Sequence, residues 1–300
     1  MTIYSQILNN RIKSLMLVAF FMVFFVFVFF IIGRSQGSSD QYLIFGLMFS
    51  LFSGFGSYFY SDKLVLMTTG AKPANKKEHF DFYTVAENIS IAAGLPMPRL
   101  YVMQTDAMNA FATGRNPKHA VVAATTGLLK SLKRSELEAV IAHELGHVKN
   151  YDILFSSIVA VLVGTLVLVT DWLQRSFFWF GMRDRDNDRS LGPVQLVMFL
   201  LTIFIAPIVA TLIQLAVSRK REYLADATGA LITRNPDALA NALIKISASP
   251  LPMKNASGAN AHLFISNPFK KGGKQSKLAS LFSTHPPVEE RVTALLGERH

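Results

Sequence analysis

The chain has 300 residues, a formal charge of +10, no cysteine and 24 phenylalanines, and 51% of it is hydrophobic, giving a mean hydropathy of +0.32. So apolar a composition exceeds what ordinary soluble domains of this length carry, and much of the chain belongs in lipid. The absence of cysteine excludes disulfides and thiolate metal ligands, and the basic residues are scattered beside hydrophobic runs, which suits anionic headgroups and gives no nucleic-acid motif.

Leu15 to Ile32 runs without a charge or a glycine and follows Arg11 and Lys13, so it is long enough to span a bilayer. A cleaved signal peptide would have a shorter apolar core, about 7–15 residues, and a small-residue cleavage site, which favours an uncleaved first span. Gln41 to Tyr60 is a second uncharged run, diluted by Ser and Gly. Together they predict an N-terminal transmembrane hairpin over residues 1–62. Lys63, Lys72, Lys76 and Lys77 follow it, whereas Arg34 stands alone in its loop, so the positive-inside rule puts both ends in the cytoplasm.

From 63 to 152 the composition is that of a soluble domain. Phe80 to Ala93 has helical spacing and is closed by Gly94, Pro96 and Pro98. Arg99 to Gln104 and His119 to Thr125 read as strands joined by the polar connection Asn109 to Pro117. A strand exposed here could bind an extended peptide by backbone pairing, with Asn109 and Ala110 as candidate substrate contacts; the other reading is that the strands only cover the next helix.

That helix carries the chemistry. In Ser135 to Asp152, SELEAVIAHELGHVKNYD, Ser135 and Glu138 fit a capping box, and Leu137, Val140, Ile141 and Leu145 form an apolar stripe. His143 and His147 are four residues apart, so both imidazoles leave one face and can share one Zn2+ at about 2.0–2.1 Å. Glu144, one residue off that pair, can reach a water activated by the ion without displacing it, as a general base of peptide hydrolysis does. Gly146 is expected to leave the site open on one side. The pattern needs a third ligand.

Ile153 to Thr170 and Val194 to Val217 are the third and fourth hydrophobic runs, separated by a charged loop over 171–193. Four arginines in that loop fit translocation poorly, so the alternative is a pair of helices that enter the membrane without crossing it. Just after the fourth run, Glu222 and Asp226 repeat the four-residue spacing. Glu222 can be the third ligand, and Asp226 can accept the free N–H of His143 and fix its tautomer. The competing reading is a solvated helix start, with Glu222 neutralised by Arg219 or Arg221. Placement favours the ligand, because His147 and Glu222 both lie within about 10 Å of the ends of adjacent spans at 1.5 Å per helical residue.

In the tail, Asn235-Pro236 opens a helix through Ile246, and Ser249 to Gly258 and Lys270 to Lys277 read as mobile stretches, either a loop that gates substrate entry or, as the lysines favour, a solvated linker. His285 in Thr284-His-Pro-Pro287 is a candidate donor to the oxyanion, with Arg291 second; His285 capping a helix that starts at Pro287 is the alternative. His79, His119, His262 and His300 have no ligand spacing.

HELGH, REYLADATGA and STHPPVEER, combined with the N-terminal hairpin and NAFATG, resemble the HtpX-type membrane zinc metalloproteases, relatives of the CAAX-prenyl endopeptidases, over nearly the whole chain. The resemblance implies a gluzincin-type endopeptidase in a bacterial inner membrane, with a cytosolic catalytic domain and a part in heat-shock or envelope-stress quality control. By position it implies His143, His147 and Glu222 as ligands of a single Zn2+ and Glu144 as the base. The fold expected is α+β and mainly helical: four hydrophobic helices and a zincin domain with a small antiparallel sheet. Its segments are 1–62, 63–152, 153–217 and 218–300. Its partners would be polypeptide substrates and the bilayer, with no nucleic acid. A chaperone or scaffold with a structural zinc site is the other class, but such sites usually close with four ligands, most often including Cys.

Overall fold

A computed structural model describes residues 3–35, 37–183, 208, 211–212, 218–269 and 286–297. The first two apolar runs become helices that outlast their hydrophobic stretches, α1 (Ile3–Ser35) and α2 (Ser39–Thr69). Gly37, at φ +72°, supplies the left-handed turn between them. Two of the glycines that dilute the hydropathy of α2, Gly46 and Gly54, face α1. A Cβ on Gly46 would meet the Phe29 Cβ at 2.8 Å, and one on Gly54 would meet Val18 at 3.2 Å. Small residues therefore let the two backbones approach, as in other membrane helix pairs.

The third long helix, α6, covers Asp152–Arg183. Among the described residues three helices are long and apolar enough to cross a membrane: Asn10–Arg34, Ser39–Thr69 and Asp152–Asp171. Leu17, Phe21 and Phe25 of α1 pack on Leu154, Ile158 and Leu162 of α6. Their outer faces, including Met16, Val23, Phe27 and Phe52, are more than half exposed, as lipid-facing positions are. The fourth span expected over 194–217 lies outside the described residues except for Ile208, Thr211 and Leu212. The charged stretch read as a loop from 171 is helix to Arg183. Asp171 and Arg175 there form an i,i+4 ion pair at 2.9 Å, which supports helix despite the polarity.

The sheet is mixed rather than antiparallel. Strands β1 (Lys72–Pro73), β2 (Arg99–Met103), β3 (Ala110–Thr113) and β4 (Val121–Thr125) lie in the order β1-β2-β4-β3. β2 runs parallel to β4, and the other two pairings are antiparallel. The discrepancy comes from β3, hidden in the stretch read as a polar connection; Ala-Phe-Ala-Thr is too short to show a period and is flanked by polar residues. With β3 on the outside, β4 becomes a central strand buried along its whole length. Val122 and Ala124 join the core shared with α3 (Phe80–Ala93) and α5 (Arg134–Lys149). Val121 and Ala123 face the other way, onto Val65, Ala160, Met253 and Phe264.

Around these lie the short helix α4 (Thr126–Ser131) and the longer α7 (Arg219–Thr233), followed by α8 (Pro236–Ala248) and α9 (Val288–Leu296). α3 ends at Gly94 in the left-handed region, and Asn235 caps α8 by accepting from the Ala238 N–H. The cap of α5 differs from the Ser135/Glu138 box. Glu136 accepts the Lys133 N–H at 2.8 Å and is held by Lys245 of α8 at 2.7 Å. That half-buried ion pair helps to hold the start of the helix.

Candidate metal centre

α5 and α7 cross at two glycines. A Cβ on Gly229 would lie 3.0 Å from the His143 nitrogen, and one on Gly146 would lie 3.2 Å from the Ala225 Cα. Gly146 thus does not open the site to one side: its open side is where α7 packs, and the missing side chains let the two helices come close enough to share an ion.

At that crossing His143, His147 and Glu222 each offer one ligand atom, and these atoms all lie within 4.8 Å of one another. Glu222 Oε1 is 3.4 Å from His147 Nε2, and Oε2 is 4.0 Å from His143 Nε2. A tetrahedral ion bound at about 2.1 Å sets its ligand atoms roughly 3.4 Å apart, so the three side chains fit one cation. Both imidazoles turn Nε2 inward because their Nδ1 atoms are held from behind. His143 Nδ1 is 2.9 Å from Asp226 Oδ1, and His147 Nδ1 is 3.1 Å from Asp152 Oδ2. Carboxylate–histidine pairs of this kind fix the tautomer and the ring orientation of a metal ligand.

The electrostatics divide the two rings. Burial lowers the His143 pKa by more than the bond and charge of Asp226 restore, so this ring is neutral and its Nε2 lone pair is available. Burial also works against charge on His147, but its hydrogen bonds to Asp152 and Glu222 outweigh it and hold its pKa well above 6.5. A cation must therefore displace a proton from His147. Glu144 is buried at 2% exposure, and loss of hydration, with Glu222 adding to it and His147 opposing, pushes its pKa up to about 7. A carboxyl poised there exchanges protons near neutrality, which suits a general acid–base.

Arg291 of α9 is 1% exposed and sits behind this cluster. Its Nε and Nη2 fork onto the two oxygens of Asp226 at 2.8 and 2.6 Å, and Nη1 lies 3.5 Å from Glu222 Oε2. Burial alone would raise the Asp226 pKa, but the bonds from Arg291 and His143 keep it below 3.8. Glu222 thus pairs with Arg291, whereas Arg219 pairs with Glu290 at 3.8 Å and the charge of Glu222 also acts on Arg221.

Residues 77–299 match the family model described as Peptidase family M48. The chain belongs to that family. Proteins described as "Protease HtpX homolog" align along almost their full length. That of Caldanaerobacter subterraneus subsp. tengcongensis is 44% identical over 297 residues, covering 98% of this chain and 97% of the relative. Those of Tropheryma whipplei and Pyrococcus furiosus are 45% and 43% identical, covering 97% and 95% of this chain and 97% and 94% of the relatives. The crystal structure of S. mikatae Ste24p aligns with a TM-score of 0.52 at 20% identity over 98% of this chain and 67% of that one, a likeness of fold.

As an M48 protein the chain is a metalloprotease, and its cluster of two histidines and a glutamate has the chemistry of a metal seat. Around it the structure places the remaining candidates. Asn109 and Ala110 are buried and hold the chain's own segment: the Asn109 amide donates to Ser266 O and accepts the Ser266 N–H, and Ala110 O accepts the Ile265 N–H. Of the strand residues, Ala112 lines the same cavity as His143, Glu144 and His147, and its backbone N–H faces the Glu144 carboxyl. His285 lies outside the described residues. Sequence reasoning missed Asp152 and His262. His262 lines the same cavity as His143, Glu144 and His147, with Nε2 3.0 Å from Ser156 O, and only long-range packing brings it there. Asp152 did leave a signal, an acid at the first position of an apolar run five residues after His147.

Proposed function

We propose that this M48 metalloprotease is a zinc endopeptidase acting at the cytoplasmic face of a bacterial inner membrane. Its substrates would be misfolded or damaged membrane proteins and unfolded chains, in stress-response quality control. The observation that carries the reading is the convergence of His143, His147 and Glu222 beside Glu144, at the foot of the candidate span that starts at Asp152. Two imidazoles and one carboxylate suit zinc, and a set of three leaves a position open for reaction.

When bound, zinc lowers the pKa of water from about 15.7 toward 7 and polarises a carbonyl. Glu144 takes the proton of the attacking water and passes it to the leaving nitrogen, a role that its pKa of about 7 matches. Asp226 and Asp152 hold the two imidazoles in one tautomer, and Arg291 fixes Asp226 and Glu222 rather than the substrate. A peptide that pairs with β3 reaches the seat at Ala112, and along Asn109 and Ala110 it must replace Ile265 and Ser266. The lysines after α2 and the basic pair Arg11 and Lys13 support the cytoplasmic placement.

The test is to purify the full chain in detergent with a chelator, add back zinc and follow cleavage of casein. The apo protein should be inactive and recover with zinc, while Glu144→Gln should bind zinc, stay folded and cleave nothing, since an amide cannot take a proton. Zinc-independent cleavage, or wild-type rates in Glu144→Gln, would reject the mechanism.

A further inference from the structure

The corner between α5 and α6 is held from the membrane side. Only Asn150 and Tyr151 separate the two helices, and Tyr151 has φ +60°, a left-handed conformation that bulky residues keep only when their surroundings impose it. The first residue of α6, Asp152, is 4% exposed and places Oδ2 3.1 Å from His147 Nδ1. Its other oxygen, Oδ1, accepts a hydrogen bond of 2.8 Å from Asn10 Nδ2, and the same nitrogen donates to Asn150 O at 3.0 Å. Asn10 belongs to α1, some 140 residues away, and is itself 8% exposed. Both of its partners are acceptors, so the amide nitrogen must face them. One residue on, the Arg11 guanidinium lies 4.3 Å over the ring of Tyr151.

We propose that Asn10 is a positioning residue of the metal centre: through Asp152 it fixes the imidazole of His147, and so makes the metal seat depend on docking of the first membrane helix. A carboxylate can orient an imidazole only if it is itself held, and in a buried corner the holder must donate without adding a charge. An amide does this. Arg221 Nη1, 3.9 Å from Asp152 Oδ1, contributes charge at longer range but not a hydrogen bond at that separation. The inference rests on the metal reading given above.

The experiment is zinc affinity of the full chain in detergent, measured by competition with a chromogenic chelator, for wild type, Asn10→Ala, Asp152→Ala and the double variant. Residues behind a metal ligand typically contribute 10–100-fold in affinity, so Asn10→Ala should bind zinc about tenfold more weakly. Because it acts through Asp152, it should add nothing in the Asp152→Ala background. A folded Asn10→Ala protein with wild-type zinc affinity, or losses that multiply in the double variant, would overturn the proposal. If Asn10→Ala does not fold, Asn10→Asp, which keeps the shape and sets a second carboxylate against Asp152, should lower affinity at least as much. A wild-type chain that binds no zinc would instead sink the metal reading itself.

Discussion

Two histidines one helical turn apart have been given opposite protonation by what stands behind and in front of them. His143 is neutral because burial outweighs the hydrogen bond and charge of Asp226, whereas His147 bonds to both Asp152 and Glu222 and holds its proton. With a folded pKa above the unfolded value, charged His147 contributes stability that is present below about pH 6.5 and is lost as pH rises through the raised value. The metal requires the other form. Zinc affinity of the apo protein should therefore increase with pH, by up to about tenfold per unit while one proton is displaced, with proton release detectable by calorimetry in buffers of different ionisation heat. A flat affinity between about pH 6 and 8 would contradict the assignment. Asp226 has the opposite sign. Its lowered pKa means that its bonds to Arg291 and His143 stabilise the fold above the unfolded value near 3.8 and are lost as pH falls below it. At this scale the sequence was informative wherever spacing along one helix decides geometry, as for His143, Glu144 and His147. It was silent on Arg291 as the partner of Asp226, since a contact 65 residues apart leaves no local pattern.

Helices α5 and α7 each present half of the site, and what joins the halves is the absence of two side chains. Gly229→Ala would place a methyl 3.0 Å from the His143 nitrogen and 3.2 Å from its Cα, backbone atoms that cannot swing aside. α7 must then back away, carrying Glu222 and Asp226 from the imidazoles. Expected is a loss of zinc affinity of about tenfold or more, on the scale of other disruptions behind a metal ligand, alongside Gly56→Ala as a control, where nothing lies within 4 Å. Equal affinity in both variants would show that the crossing tolerates the methyl. The elements themselves were largely legible. Periodicity and punctuation found α3 from Phe80 to Ala93 and the helix after Asn235, because caps and hydrophobic spacing are local. β3 escaped because four residues show no period. Its place at the sheet edge comes from antiparallel backbone pairing with β4, and the parallel pairing of β2 with β4 makes the expected antiparallel sheet a mixed one.

Across the whole molecule the candidate spans and the candidate metal seat are joined by packing: α1 and α2 pack together, α1 lies on α6, and α6 starts at Asp152, whose carboxylate meets His147. The arrangement proposed above puts the α1–α2 loop on the face opposite the metal centre. The chain has no cysteine, so single cysteines replacing Gly37 and Lys76 provide a clean test. A membrane-impermeant thiol reagent applied to intact cells should label the first and not the second, and equal labelling would overturn the orientation. The sequence by itself determined that much of the chain belongs in lipid, that two imidazoles and a carboxyl share one helix and that Glu222 follows a hydrophobic run, because composition and spacing along a helix fix those things locally. Only the tertiary structure decided that α5 and α7 meet glycine to backbone, that Arg291 locks Asp226, and that Asn10 of the first membrane helix reaches Asp152. Those contacts join residues 65 to 142 positions apart, where nothing short of packing sets the distance.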